Sequence, residues 1–195
     1  MYDYFLEHSV NTKKIKTVDN DFISLYENRC PNDLLTLWKE AGIGIFCDGL
    51  FRIINPDDYQ EFLDSSYTNI DDESILPFMT TAFGDVFAYV KNKKLNDYII
   101  FANFRYGIFK VLTEDIDYLM NDLILDEEVC ELWFNLDKYI DIKRKIGVPD
   151  FNECYGYVPP LVMGGKEDIE HIQIVKVLPY IDIIKQSIDE LKFSK

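Results

Sequence analysis

The chain has 195 residues, 48% hydrophobic and 15% aromatic, which is enough for one sizeable core, and no segment has the bias of a disordered or low-complexity tract. Its 35 acidic residues against 20 basic ones give a formal charge of −15, which excludes nucleic acid and anionic membrane as natural partners, because both require cationic groups. No apolar run approaches the roughly 20 residues needed to span a bilayer, and the opening MYDYFLEHSVNTKKIK lacks the pattern of a signal peptide, so the expected location is the cytoplasm.

In chain order, residues 1–28 read as two short helical pieces around a Lys-rich connection, Lys13, Lys14 and Lys16. CPNDLLTLWKEAGIG predicts a helix, with Pro31 in the first turn, Leu34, Leu35, Trp38 and Ala41 on one face, and Gly42 at the stop. IFCDGLFRIIN reads as strand–turn–strand about Asp48-Gly49, and NPDDYQEFLDSSY as a second helix capped by Asn55. Over 75–112, the runs ILPFMTTAF, DVFAYV, DYIIFANF and GIFKVL are β-branched or aromatic and separated by short turns. With the earlier hairpin they predict an antiparallel sheet of five or six strands.

After Thr113 the pattern turns helical. TEDIDYLMNDL and DEEVCELWFNL place acids in their first turns, where the helix dipole favours them. Between 114 and 137 stand nine acidic residues and no Lys or Arg, more than helix starts explain. The last predicted helix carries Leu178, Ile181, Ile184, Ile188 and Leu191 on one stripe. Before it, DFNECYGYVPPLVMGG fits neither period and reads as a rigid seam between sheet and helix. The fold class is α+β: an antiparallel sheet flanked by N-terminal and C-terminal helices.

The chain lacks GxGxxG, P-loop, GxSxG and HExxH motifs. Cys30, Cys47, Cys130 and Cys154 are widely spaced and read as reduced thiols, and His8 and His171 lack ligand spacing, so no metal or cofactor is expected. Cys154 with His171 is the one pair that could act as nucleophile and base, and its plainer reading is a packed small side chain. No catalytic residue is assigned.

PNDLLTLWKEAGIGIFCDGLFRIINPDDYQ, AFGDVFAYV and ECYGYVPPLVMGG, in that order from residue 31 onward, resemble the GAD-like (GAD-related) domain proteins of bacteria. The shared pattern is a Pro-started helix with Leu37-Trp38, Gly42 and Gly44, Asn55-Pro56 before Tyr59, then Ala82-Phe83-Gly84-Asp85, and Tyr155-Gly156 leading to Pro159. Tyr157 stands where Phe is usual, and Pro160 and Val162-Met163 replace smaller residues, changes that touch packing. On helix-then-sheet order alone the chain also resembles SMI1/KNR4-type immunity folds. The resemblance implies one compact domain over 1–195, with a GAD-like part over about 1–112 and a helical immunity-type part over about 113–195.

It further implies a non-enzymatic immunity protein similar to those paired with DNase effectors of type VI secretion. A nuclease carries a basic groove, and an acidic protein can cover it by steered association. The candidate contact residues are the acid clusters Asp57, Asp58, Asp71, Asp72, Glu73, Asp126, Glu127 and Glu128. For any single cluster the plain alternative is a solvated face. The rival function is a non-catalytic regulatory module that binds a small molecule or peptide.

Overall fold

The computed structural model describes residues 1–194. Its strands are β1 (Lys13–Lys16), β2 (Ile43–Phe46), β3 (Phe51–Ile53), β4 (Asp72–Thr81), β5 (Val86–Asn92), β6 (Tyr98–Asn103), β7 (Ile108–Thr113), β8 (Glu153–Tyr157), β9 (Ile172–Lys176) and β10 (Lys192–Phe193). The helices are α1 (Asp3–His8), α2 (Asn20–Tyr26), α3 (Asn32–Ala41), α4 (Gln60–Ser66), the single turn α5 (Ile116–Tyr118), α6 (Glu127–Phe134), α7 (Leu136–Ile146) and α8 (Val177–Lys185). Eight strands form one sheet in the order β1-β2-β3-β4-β5-β6-β7-β10, while β8 and β9 pair separately.

The alternation within the central strands explains why helices cover both faces. In β5, Phe87 and Tyr89 enter one apolar cluster, and Val86, Ala88 and Val90 enter the other. In β6, Ile99 and Phe101 likewise face away from Ile100 and Ala102. The larger cluster takes its cover from α1, α2, α3, α6 and α7, with Trp38 of α3 wholly buried between Phe22 and Tyr26 of α2. The smaller cluster is covered by Leu63 of α4 and by Tyr180, Ile181 and Ile184 of α8.

The α+β expectation holds, with corrections at the margins. The sheet is mixed, because β10 lies parallel to β7 with Lys192 opposite Ile108. Lys13, Lys14 and Lys16 belong to an edge strand, not a connection, and Gly44 of β2 lets it approach: a Cβ there would come 2.5 Å from the Lys13 carbonyl. All four β1 side chains are exposed, so no alternation marked the strand. Asn55 does not cap α4; its Oδ1 accepts from the Tyr26 hydroxyl at 3.2 Å, and a 3-10 turn, Pro56–Asp58, precedes the helix. The last helix ends at Lys185. Ile188 and Leu191 still pack on the smaller cluster, but the chain has turned to bring β10 beside β7. The α7 helix, absent from the sequence reading, follows Asn135, whose φ of 58° lets α6 stop and α7 start without a loop.

The aperiodic segment also holds a strand. β8 is buried on both sides, giving Cys154 to the smaller cluster and Tyr155 and Tyr157 to the larger, so it joins the two as a seam would. Gly156 is required by close approach, since a Cβ would sit 2.7 Å from Val175 and 2.9 Å from the Tyr180 ring. Its φ is not in the left-handed region, so the close approach of these side chains, and not backbone freedom, calls for glycine. At the β4–β5 turn, Asp85 accepts a bidentate pair from buried Arg105, Nε at 3.1 Å and Nη2 at 2.5 Å, and the guanidinium lies 4.3 Å over the Phe83 ring. The Ala-Phe-Gly-Asp run is thus a buried ionic clamp.

Candidate partner-binding surface

The predicted acids fall in three places. Asp57 and Asp58 are exposed on the 3-10 turn before α4, where burial and the neighbouring Asp57 push the Asp58 carboxyl above its usual range. Asp71 immediately precedes β4, Asp72 and Glu73 begin it, and all three are engaged from within. Asp71 meets Lys94 at 2.6 Å and Glu73 meets Lys91 at 3.3 Å. Asp72 accepts from the Tyr67 hydroxyl at 2.7 Å, the Tyr98 hydroxyl at 3.0 Å and Asn92 Nδ2 at 2.8 Å.

Asp126, Glu127 and Glu128 are exposed at the start of α6. Asp126 Oδ1 accepts from the Val129 amide at 3.0 Å as an N-cap. Among the described residues, none of the three makes a salt bridge. The three clusters sit on separate elements, and among the described residues the cavities at Asp126 and Glu127 share no lining residue with the one at Asp72 and Glu73.

Around Asp126 the chain builds a cleft of about 630 Å3, lined by Tyr4, Tyr118, Asn121, Asp122, Leu125, Asp126 and neighbouring residues. Tyr4 is 54% and Tyr118 48% exposed. The cleft exists because Asn121 ties α1 to the distant acidic segment. Its Oδ1 accepts from the Phe5 amide at 3.0 Å, and its Nδ2 donates to Asp117 at 2.9 Å. Leu119–Leu123 form a π-turn, closed by the Ile124 amide donating to the Leu119 carbonyl at 3.1 Å, a geometry that is rare and favours functional positions. Tyr4 and Tyr118 escaped the sequence reading because each stands on a helix of six residues or fewer, too short for periodicity to separate an outward face from an inward one.

Cys154 and His171 are not a catalytic pair. Cys154 lies opposite Val175 in the β8–β9 register. His171 lies in the 3-10 turn before β9, beyond the Tyr157–Ile172 pair that ends the two-stranded ladder on the side away from Cys154. Burial also pushes the Cys154 thiol up to about 12, away from the thiolate that nucleophilic chemistry needs. No group of three or more His, Cys, Asp or Glu among the described residues could hold a metal. No helix among them is long and apolar enough to cross a membrane.

Residues 1–102 match the model of the GAD-like domain, more than half of the chain. The chain belongs to the GAD-like family. In this GAD-like protein, residues 113–187 further match the model described as T6SS immunity protein Tdi1, C-terminal, which supports an immunity protein. Its fold is similar to the crystal structure of Atu4351 from Agrobacterium tumefaciens, with a TM-score of 0.71 at 18% identity, over 95% of this chain and 89% of that one. A likeness at that identity speaks for the fold alone. Among curated proteins none matches. The second matched stretch contains the whole acid-rich segment that walls the cleft.

Proposed function

We propose that this GAD-like protein is a non-enzymatic immunity protein that works in the cytoplasm of the toxin-producing cell. It neutralises a nuclease effector by covering the effector's basic groove with the cleft between α1, the π-turn and α6. The observation that carries the reading is the cleft. Half-exposed Tyr4 and Tyr118 stand beside Asp122 and Asp126, within a 114–137 stretch of nine acids without Lys or Arg. A nuclease must present cations to phosphates, and a rigid acidic and aromatic surface complements the same cations. Asp57 and Asp58 belong to the wider acidic field that steers the approach, whereas Asp71, Asp72 and Glu73, already engaged by Lys94, Lys91, Tyr67, Tyr98 and Asn92, add little to it.

The test is to mix the purified chain with the effector of the same locus and to follow DNA cleavage and binding kinetics. Stoichiometric inhibition, with association slowing as ionic strength rises, is the expected result. A complex that forms equally fast at all salt concentrations would rule out the electrostatic mechanism, and the absence of a complex would rule out the immunity assignment.

A further inference from the structure

Beside the acidic cleft, and sharing Leu125 with it, lies a second cavity of about 280 Å3. Its walls include Val10 after α1, Leu50, and Leu136 and Ile140 of α7, all apolar. Carboxylates reach it from Asp48 and Glu127. Asp48 is already engaged by Lys143 and Asn11, which leaves Glu127 as the uncompensated charge, flanked along the chain by exposed Asp126 and Glu128.

One wall of the cavity is a turn in an uncommon conformation. Cys47 and Asp48 hold φ of 48° and 56°, the left-handed region that non-glycine residues rarely occupy, and such geometry persists only where the surroundings impose it. Here the Tyr139 hydroxyl donates to the Asp48 carbonyl at 2.6 Å, and the Cys47 amide donates to Ser9 Oγ at 2.8 Å. That wall of the cavity is therefore fixed by defined contacts. Val10, 60% exposed, stands at its mouth.

We propose that this cavity seats one large apolar side chain of the toxin, flanked in the toxin's own sequence by lysine or arginine. The inference rests on the immunity reading above. The volume lies just below that of pockets that take whole small molecules, so it suits a single anchoring side chain. Charge complementarity selects what surrounds the anchor: the mouth adjoins the nine-acid stretch without a basic residue, so flanking cations are attracted and flanking acids repelled. The two neighbouring features then divide the work. Rim carboxylates govern how fast the partners meet, and a desolvated apolar anchor governs how long they stay.

The experiment measures binding of a catalytically inactivated effector to the wild type, to Val10→Trp and to Glu127→Lys with Glu128→Lys. Val10→Trp fills the mouth at an exposed position, and a thermal melt matching the wild type checks its fold. The expected result is at least tenfold faster dissociation for Val10→Trp, with association changed less than twofold, and slower association for the charge reversals. Wild-type dissociation kinetics in Val10→Trp would overturn the anchor while leaving the immunity reading intact. Failure of the wild type to bind at all would remove both.

A second probe needs no effector. A synthetic peptide with Phe between paired lysines should shift the amide resonances of Val10, Cys47 and Leu136 saturably. A version with Ser for Phe, or with glutamates for the lysines, should not. Equal shifts from the Ser peptide, or shifts mapping elsewhere, would overturn the proposal.

Discussion

Asp71-Asp72-Glu73 and Asp126-Glu127-Glu128 are the same signal in sequence, three consecutive acids beside the start of a regular element, and the fold treats them oppositely. The first triplet faces a hairpin that supplies Lys91, Asn92, Lys94 and Tyr98, Tyr67 comes from the end of α4, and each carboxylate of the triplet has a partner. The second follows a segment without a basic residue, and only Asp126 has an internal role, as a helix cap. Acid clustering therefore says little about contact surfaces until the neighbours are known. What separates a structural acid from an available one is the set of donors that the topology places opposite it.

The largest expected effect lies at the fully engaged extreme. Replacing Asp85 with Ala leaves Arg105 as a buried charge without its partner, which should lower stability by about 3–5 kcal/mol in urea unfolding. Replacing both, Asp85→Leu with Arg105→Met, should recover most of that loss, because the cost arises from the orphaned cation more than from the missing pair. A single-variant loss below about 1 kcal/mol would mean that water reaches the clamp.

Asp72 comes next. Its carboxylate accepts from two tyrosine hydroxyls and an amide in a half-buried site, and burial, the Tyr98 hydroxyl and this carboxylate, in that order, hold the Tyr67 phenol well above its usual range. Asp72→Ala should cost about 1.5–3 kcal/mol of stability, as expected for hydrogen bonds to a charged group. Toxin association should change less than twofold. A stable Asp72→Ala variant with impaired binding would invert the assignment of the two triplets.

How far these roles were legible follows from where each element buries its side chains. The central strands over 75–112 and α3 were readable because one face or both are covered, which imposes alternation or a stripe. The edges β1 and β10 were not, since their side chains are exposed and only backbone pairing defines them. The acid excess over 114–137 was plain from composition. The cleft it walls was not, because it depends on Asn121 reaching Phe5 across 116 positions of sequence, a contact that no local pattern encodes.

Glu127 and Glu128 provide the sharper test of availability. Reversing both to Lys leaves the Asp126 cap in place, so stability should fall only through the helix dipole, which loses two favourable charges at its N-terminus, about 0.3–1 kcal/mol each, and gains two unfavourable ones of similar size. Stopped-flow association with the toxin at low salt should slow by about tenfold and converge on the wild-type rate as salt is raised. An unchanged on-rate with full binding would place the contact surface elsewhere.

The smallest expected effect completes the comparison. Asp71→Asn with Glu73→Gln removes two ion pairs whose members are 39–70% exposed. Exposed pairs of that kind contribute between nothing and about 1 kcal/mol, because solvent screens them and holding two long side chains costs entropy. Melting should therefore shift by only a few degrees. Lys91 and Lys94 keep the charge they already carry, and the only change is the loss of two carboxylates that were compensated beforehand, so any effect on toxin association should be slight. Glutamine and asparagine keep the shape and add no cation of their own. If this double variant slows association as much per unit of charge removed as the Glu127 and Glu128 reversals do, two units here against four there, steering is a property of net charge alone, and the distinction between engaged and available acids fails.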